Sequence, residues 1–132
     1  MVRLKAPYFD AYFSAERSGA FARRFAVVTA HNPRGKKYPP AANRRRDAAL
    51  RRRLKSLGLR HFRVTGGSRD GAHREPGWGI ATSPEKARAL AAEYGQDAFY
   101  WISGGRIYLG SAAGGRLRRA GSWPARRARW DQ

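Results

Sequence analysis

The chain has 132 residues, which suits one domain with or without tails. It carries 28 Lys+Arg against 9 Asp+Glu, a formal net charge of +19, and Arg outnumbers Lys by 23 to 5. This balance argues against a calcium-buffering or polycation-binding protein and makes a polyanionic partner the default, while the absence of cysteine excludes disulfides, thiol nucleophiles, iron–sulfur clusters and Cys-ligated zinc.

Residues 7–17 begin with Pro7 and place Tyr8/Tyr12 and Phe9/Phe13 at i,i+4, which predicts a short amphipathic helix ended by Ser18-Gly19. Its aromatic stripe reads as core. Residues 21–30 are rich in Phe and Val and predict a strand; its end is apolar on both faces, as in a central strand. A proline-containing loop over 31–42 leads to Asn43, a good N-cap. A helix then spans 44–57, with Leu50, Leu54 and Leu57 on one stripe and Gly58 closing it. Like charges at i,i+4 destabilise an isolated helix by roughly 0.2–0.5 kcal/mol a pair, so the leucine stripe or a bound anion must compensate here.

Residues 59–65 alternate and predict a half-exposed strand. The Gly-rich stretch 66–77 reads as a flexible connection that covers a cleft, and it lacks the closing Gly-Lys-Ser/Thr of a phosphate-binding loop. A short strand is expected at 78–81. Ser83 as N-cap, Pro84 and Glu85 open a helix that Gly95 closes. Residues 98–102 and 106–109 flank Ser103-Gly104-Gly105, a hairpin signal. From about Gly110 the chain turns to Gly, Ala, Ser and Arg and reads as a mobile tail.

After the first helix the order is β-α-β-β-α-β-β. It predicts a ferredoxin-like α+β sandwich, one sheet with two helices on one face, with a small α/β sheet as the alternative. The expected organisation is an N-terminal helical segment over 1–20, an α+β domain over 21–110 and a flexible Arg/Trp-rich tail over 111–132. No apolar leader and no run of about 18 apolar residues occurs, so the expected location is the cytoplasm.

Four stretches stand out: Ala26-Val27-Val28-Thr29-Ala30-His31-Asn32-Pro33, Asn43-Arg44-Arg45-Arg46, His73-Arg74-Glu75-Pro76-Gly77-Trp78 and Tyr94-Gly95-Gln96-Asp97-Ala98-Phe99. In combination they resemble a small bacterial and phage family known as a domain of unknown function. The resemblance covers roughly residues 21–109. It implies one compact domain that starts at the first strand and excludes the Arg-rich tail, and it implies no activity.

The charge is uneven. Residues 34–63 carry 12 basic groups and 1 acidic, residues 64–114 carry 5 of each, and residues 115–132 carry 6 and 1. Arg34, Lys36, Lys37, Arg44, Arg45, Arg46, Arg51, Arg52 and Arg53 form one candidate phosphate-binding surface. The other reading is a solvated basic face. In the tail, Arg116, Arg118, Arg119, Arg126, Arg127 and Arg129 are further phosphate ligands, with Trp123 and Trp130 as stacking platforms for unpaired bases. The other reading there is an adventitious tail, or Trp123 folded back onto the core.

Thr29, His31, Asn32, His73, Glu75, Gln96 and Asp97 fall at expected strand ends, where polar groups converge on ligand clefts. His31 or His73 suits a general base, with Glu75 or Asp97 orienting it; two His and one carboxylate also suit a facial metal site. The structural alternative is turn and capping chemistry. The expected function is therefore nucleic-acid or other polyanion binding, with no cofactor or resident metal. The alternatives are an enzyme or sensor for a nucleotide or phosphorylated ligand, and a phage or host interaction protein that docks on an acidic partner.

Overall fold

The computed structural model describes residues 4–16 and 23–130. A 3-10 turn over Ala6–Asp10 leads into β1 (Tyr12–Ala15) and then β2 (Arg24–Thr29), α1 (Pro40–Ser56), β3 (His61–Gly67) and β4 (Arg74–Ile80). The chain continues through α2 (Pro84–Glu93), β5 (Ala98–Ser103), β6 (Arg106–Ser111) and β7 (Arg118–Ser122). All seven strands join one sheet in the order β1-β3-β4-β2-β5-β6-β7, and every neighbouring pair is antiparallel.

The element order from β2 to β6 is the expected one, but the architecture is not. In place of a ferredoxin-like sandwich or an α/β sheet, the chain forms an antiparallel sheet curled into a half-barrel with two helices. The reason lies in the strand pattern. Alternate residues of β2 enter opposite cores: Ala26 and Val28 join Leu50, Leu54, Trp78, Ile80, Ala87, Leu90 and Phe99 under the helices. Phe25 and Val27 face the other way, with Phe13, Phe62, Val64, Ile102, Ile107 and Trp123. No helix covers that second face among the described residues. The sheet buries it by curling, and each large aromatic removed from water favours the curl by roughly 2–3 kcal/mol.

Two segments read otherwise from sequence complete the sheet. Residues expected as the first helix form the 3-10 turn and β1; the expected break at Ser18-Gly19 lies outside the described residues. The segment expected as a tail supplies β7. Beyond it the chain crosses to the opposite edge, where Phe13 N donates to Arg126 O (2.8 Å) and Ala128 N donates to Phe13 O (2.7 Å). This parallel bridge between Phe13 and Arg127 ties the two ends of the sheet together.

Smaller corrections follow. α1 starts at Pro40, with Pro39 as its N-cap, so Asn43 lies inside the helix with a buried side chain. Leu57 is past the helix end and exposed. Most of the expected connection over 66–77 belongs to the β3–β4 hairpin, with its turn at 68–73. Two predicted features form as read: the β5–β6 hairpin, and the Ser83 cap of α2, whose side chain accepts from Lys86 N at 3.2 Å. No helix among the described residues is long and apolar enough to cross a membrane.

Candidate functional site

The β2–β4 register pairs Thr29 with Gly77; continued past the end of β2, it sets His31 level with Glu75. Two of the singled-out stretches therefore meet at one mouth of the half-barrel. Thr29 Oγ1 donates to Pro76 O (2.8 Å) and accepts from His31 N (3.1 Å). Gln96 Nε2 donates to His31 O (3.0 Å). Both backbone groups of His31 are thus held by side chains. Its half-buried ring makes no hydrogen bond among the described residues.

Asn32 follows in the left-handed region (φ 46°, ψ 60°), a conformation asparagine tolerates better than most residues. Its Oδ1 accepts from Tyr38 N (2.9 Å) and Asn43 Nδ2 (3.0 Å), and its N donates to Asn43 Oδ1 (2.9 Å). Its Nδ2 donates to Glu75 Oε1 at 3.2 Å. The other Glu75 oxygen faces His73 Nε2 at 3.7 Å. Arg46 fastens the same loop from α1, donating to Ala30 O (3.0 Å) and Tyr94 O (2.8 Å).

The electrostatics follow from this crowding. Burial holds the His31 imidazole below its ordinary pKa; Asp47 and Glu75 oppose the shift, and Arg63 adds to it. Tyr8 reaches the mouth from the 3-10 turn, where Tyr100 Oη donates to its carbonyl at 2.6 Å. Burial raises the Tyr8 hydroxyl pKa, and Asp97 and then Glu75 raise it further. Asp97 itself turns to Arg34 (3.8 Å), beside a cavity of about 210 Å³ that Gln96 and three alanines also line.

His31, Asn32, His73, Glu75 and the Thr29 and Gln96 supports are therefore brought together, and Asp97 stands at the rim with Arg34. The facial metal site is not formed: among the described residues no group of three or more His, Cys, Asp or Glu side chains is placed to hold a metal ion. Sequence reasoning missed Tyr8, which it assigned to a helix face, and Asn43, which it read as a cap. It also missed the clamp of Arg63 on Asp47 (two contacts at 2.8 Å), in which the guanidinium lies 3.7 Å from the centre of the Trp78 ring. Alternation alone had marked Arg63 only as a surface position.

The basic surface divides into committed and free cations. On α1, Arg46 is committed to carbonyls and Arg53 pairs with Glu93 at 3.3 Å. Arg44, Arg45, Arg51, Arg52 and Lys55 are exposed and make no ion pair among the described residues. At 100° per residue, Arg44, Arg51 and Lys55 fall on one stripe and Arg45 and Arg52 on the next, away from buried Leu50 and Leu54. Lys36 and Lys37 are exposed just before the helix. At its far end an open groove of about 570 Å³ includes Lys55, Arg60 and His61.

The C-terminal cations divide likewise. Arg126 donates to Phe9 O (3.0 Å) and Ala11 O (3.2 Å), Arg119 donates to Gly121 O (3.0 Å), and Arg127 sits 5.3 Å from the Trp123 ring centre. Arg116, Arg118 and Arg129 are exposed. The stacking role expected of the tryptophans is corrected. Trp123 is 8% exposed, packed on Phe13 and Phe25, and Trp130 Nε1 donates to Ser68 O and Arg69 O, both at 3.1 Å.

A protein-family model described as "Protein of unknown function (DUF3293)" matches residues 28–99, more than half of the chain. That span holds the mouth residues other than Tyr8, together with all of α1, and leaves out the C-terminal strands β6 and β7. No curated protein and no solved structure matches the chain.

Proposed function

This chain belongs to the DUF3293 family, and from that premise we propose that it binds nucleic acid through the phosphate backbone, with the outer face of α1 and the loop before it as the contact surface. The observation that carries the proposal is the pair of cation rows on α1. Arg44 and Arg51 stand seven residues apart on one row, Arg45 and Arg52 on the next, all exposed and without a carboxylate partner among the described residues. Seven residues of helix span about 10 Å, so the rows present repeated positive charge along one direction. A folded chain gains nothing by crowding these charges, because neighbouring cations repel. A polyanion reverses that sign: it neutralises the rows and releases its own condensed counterions.

Binding of labelled single-stranded RNA or duplex DNA should weaken steeply with salt, by roughly 10³–10⁵ between about 50 and 200 mM if six to ten phosphates are contacted. The combined change Arg44→Glu, Arg45→Glu, Arg51→Glu and Arg52→Glu should lower the slope of log affinity against log salt by about 4. Affinity that ignores salt, or that survives this change, overturns the proposal.

A further inference from the structure

Two imidazoles flank one anchored carboxylate at the mouth of the half-barrel, and the chain leaves that mouth through the exposed cations Arg34, Lys36 and Lys37 before entering α1. We infer that the mouth is an RNA-cleaving centre in which His31 is the general base and His73 the general acid, with Glu75 as a positioning residue. The inference rests on the nucleic-acid reading above and assigns its substrate class: a phosphodiester with a free ribose 2′-hydroxyl.

The His31 ring carries the argument. Partly buried polar groups in a merely structural role are normally hydrogen-bonded. Here the backbone is held on both sides, by Thr29 Oγ1 at the N–H and Gln96 Nε2 at the carbonyl, while the imidazole is left without a hydrogen-bond partner. Such a ring is fixed in place and open to an incoming hydroxyl. Burial also favours its neutral form, which is the form that accepts a proton.

Glu75 serves the second imidazole. One oxygen is pinned by Asn32 Nδ2 (3.2 Å), so the other is held toward His73 Nε2 (3.7 Å). His73 is itself exposed, where a proton delivered to a leaving group is readily replaced from water. Arg34, Lys36 and Lys37 supply positive charge for the phosphate beside these groups.

The step balances without a further reactant. His31 takes the proton from the 2′-hydroxyl as O2′ attacks the adjacent phosphorus and forms the P–O2′ bond. The P–O5′ bond breaks, and the imidazolium of His73 gives its proton to O5′. The products are a 2′,3′-cyclic phosphate and a 5′-hydroxyl end. His31 finishes protonated and His73 neutral, and exchange with water resets both. DNA lacks the attacking hydroxyl.

The test incubates the full chain with end-labelled single-stranded RNA, with the same strand carrying 2′-O-methyl groups, and with the DNA equivalent. Binding is measured in the same samples. Cleavage of the RNA alone, leaving cyclic-phosphate ends, is expected. His31→Ala and His73→Ala, purified identically, should each lose roughly 10²–10⁴ in rate with affinity unchanged. Exposed His73 can be replaced without disturbing the fold, so it answers the question even if the His31 variant misfolds. Glu75→Gln keeps an oxygen for Asn32 but turns an amide toward His73; it should lower kcat and leave KM unchanged. Intact RNA in samples where it is bound overturns the cleaving centre and leaves the binding proposal standing, whereas salt-insensitive binding overturns the latter. Wild-type rates in both histidine variants, or cleavage of the 2′-O-methyl strand, also overturn the centre.

Discussion

His31 is held by its backbone rather than by its ring, and this has a thermodynamic consequence. Burial keeps its pKa below the ordinary 6.5 in the folded chain, against the opposing pull of Asp47 and Glu75. Below about pH 6.5 the unfolded chain therefore binds a proton that the folded chain refuses. Stability from this source is complete above that pH and is lost as pH falls toward the folded pKa. Chemical denaturation of His31→Gln across pH 5–8 should show a shallower loss on the acid side than the wild type; identical acid limbs would rule the burial effect out. At this scale the sequence was partly legible. Thr29, His31, Asn32, His73, Glu75 and Gln96 stood out as polar residues at strand ends, and they do meet. Asn43 was misread because an asparagine ahead of a helical pattern has the local chemistry of a cap, whereas Pro39-Pro40 starts the helix and frees Asn43 to bind Asn32.

Among the elements, β3 and β4 depend on a close approach that composition does not reveal. Gly79 pairs with Phe62 across the two strands, and a Cβ added at Gly79 would fall on the Phe62 ring. The ring is buried in the aromatic core and has little room to retreat. Gly79→Ala should cost about 1–3 kcal/mol of overpacking, seen as a lower urea midpoint; an unchanged midpoint would show that the core can yield there. The hairpin β5–β6 and the helix α2 were legible because their determinants are local: a Gly-Gly turn and a Ser-Pro-Glu start. The short β1 was not. Aromatic pairs at i,i+4 suit a helix, yet here they straddle a 3-10 turn and a four-residue strand, whose partner β3 lies about fifty residues away.

For the molecule as a whole, the C-terminal segment matters more than its composition suggests. It provides β7, plugs the inner core with Trp123 and ties the last strand region to β1 through residues 126–128. Truncation after residue 117 removes all three, and should replace the cooperative thermal transition with a broad one or none. A truncated chain with the wild-type melting temperature would restore the reading of a dispensable tail. The net charge is likewise sharpened by the tertiary structure. Arg46, Arg119 and Arg126 bind carbonyls and Arg53 binds Glu93, whereas Arg44, Arg45, Arg51 and Arg52 remain unpaired among the described residues.

By itself, the sequence determined the run of elements from β2 to β6, the buried character of β2, the amphipathic helices and the concentration of charge on α1. These follow from periodicity, caps and turns, which act over a few residues. Tertiary structure alone decided that the sheet curls, that the segments at both ends join it as β1 and the β7 strap, and which arginines remain available. Those outcomes depend on burying a second apolar face that no helix covers, and on pairings between residues more than a hundred positions apart, such as Phe13 with Arg127. No local pattern records either.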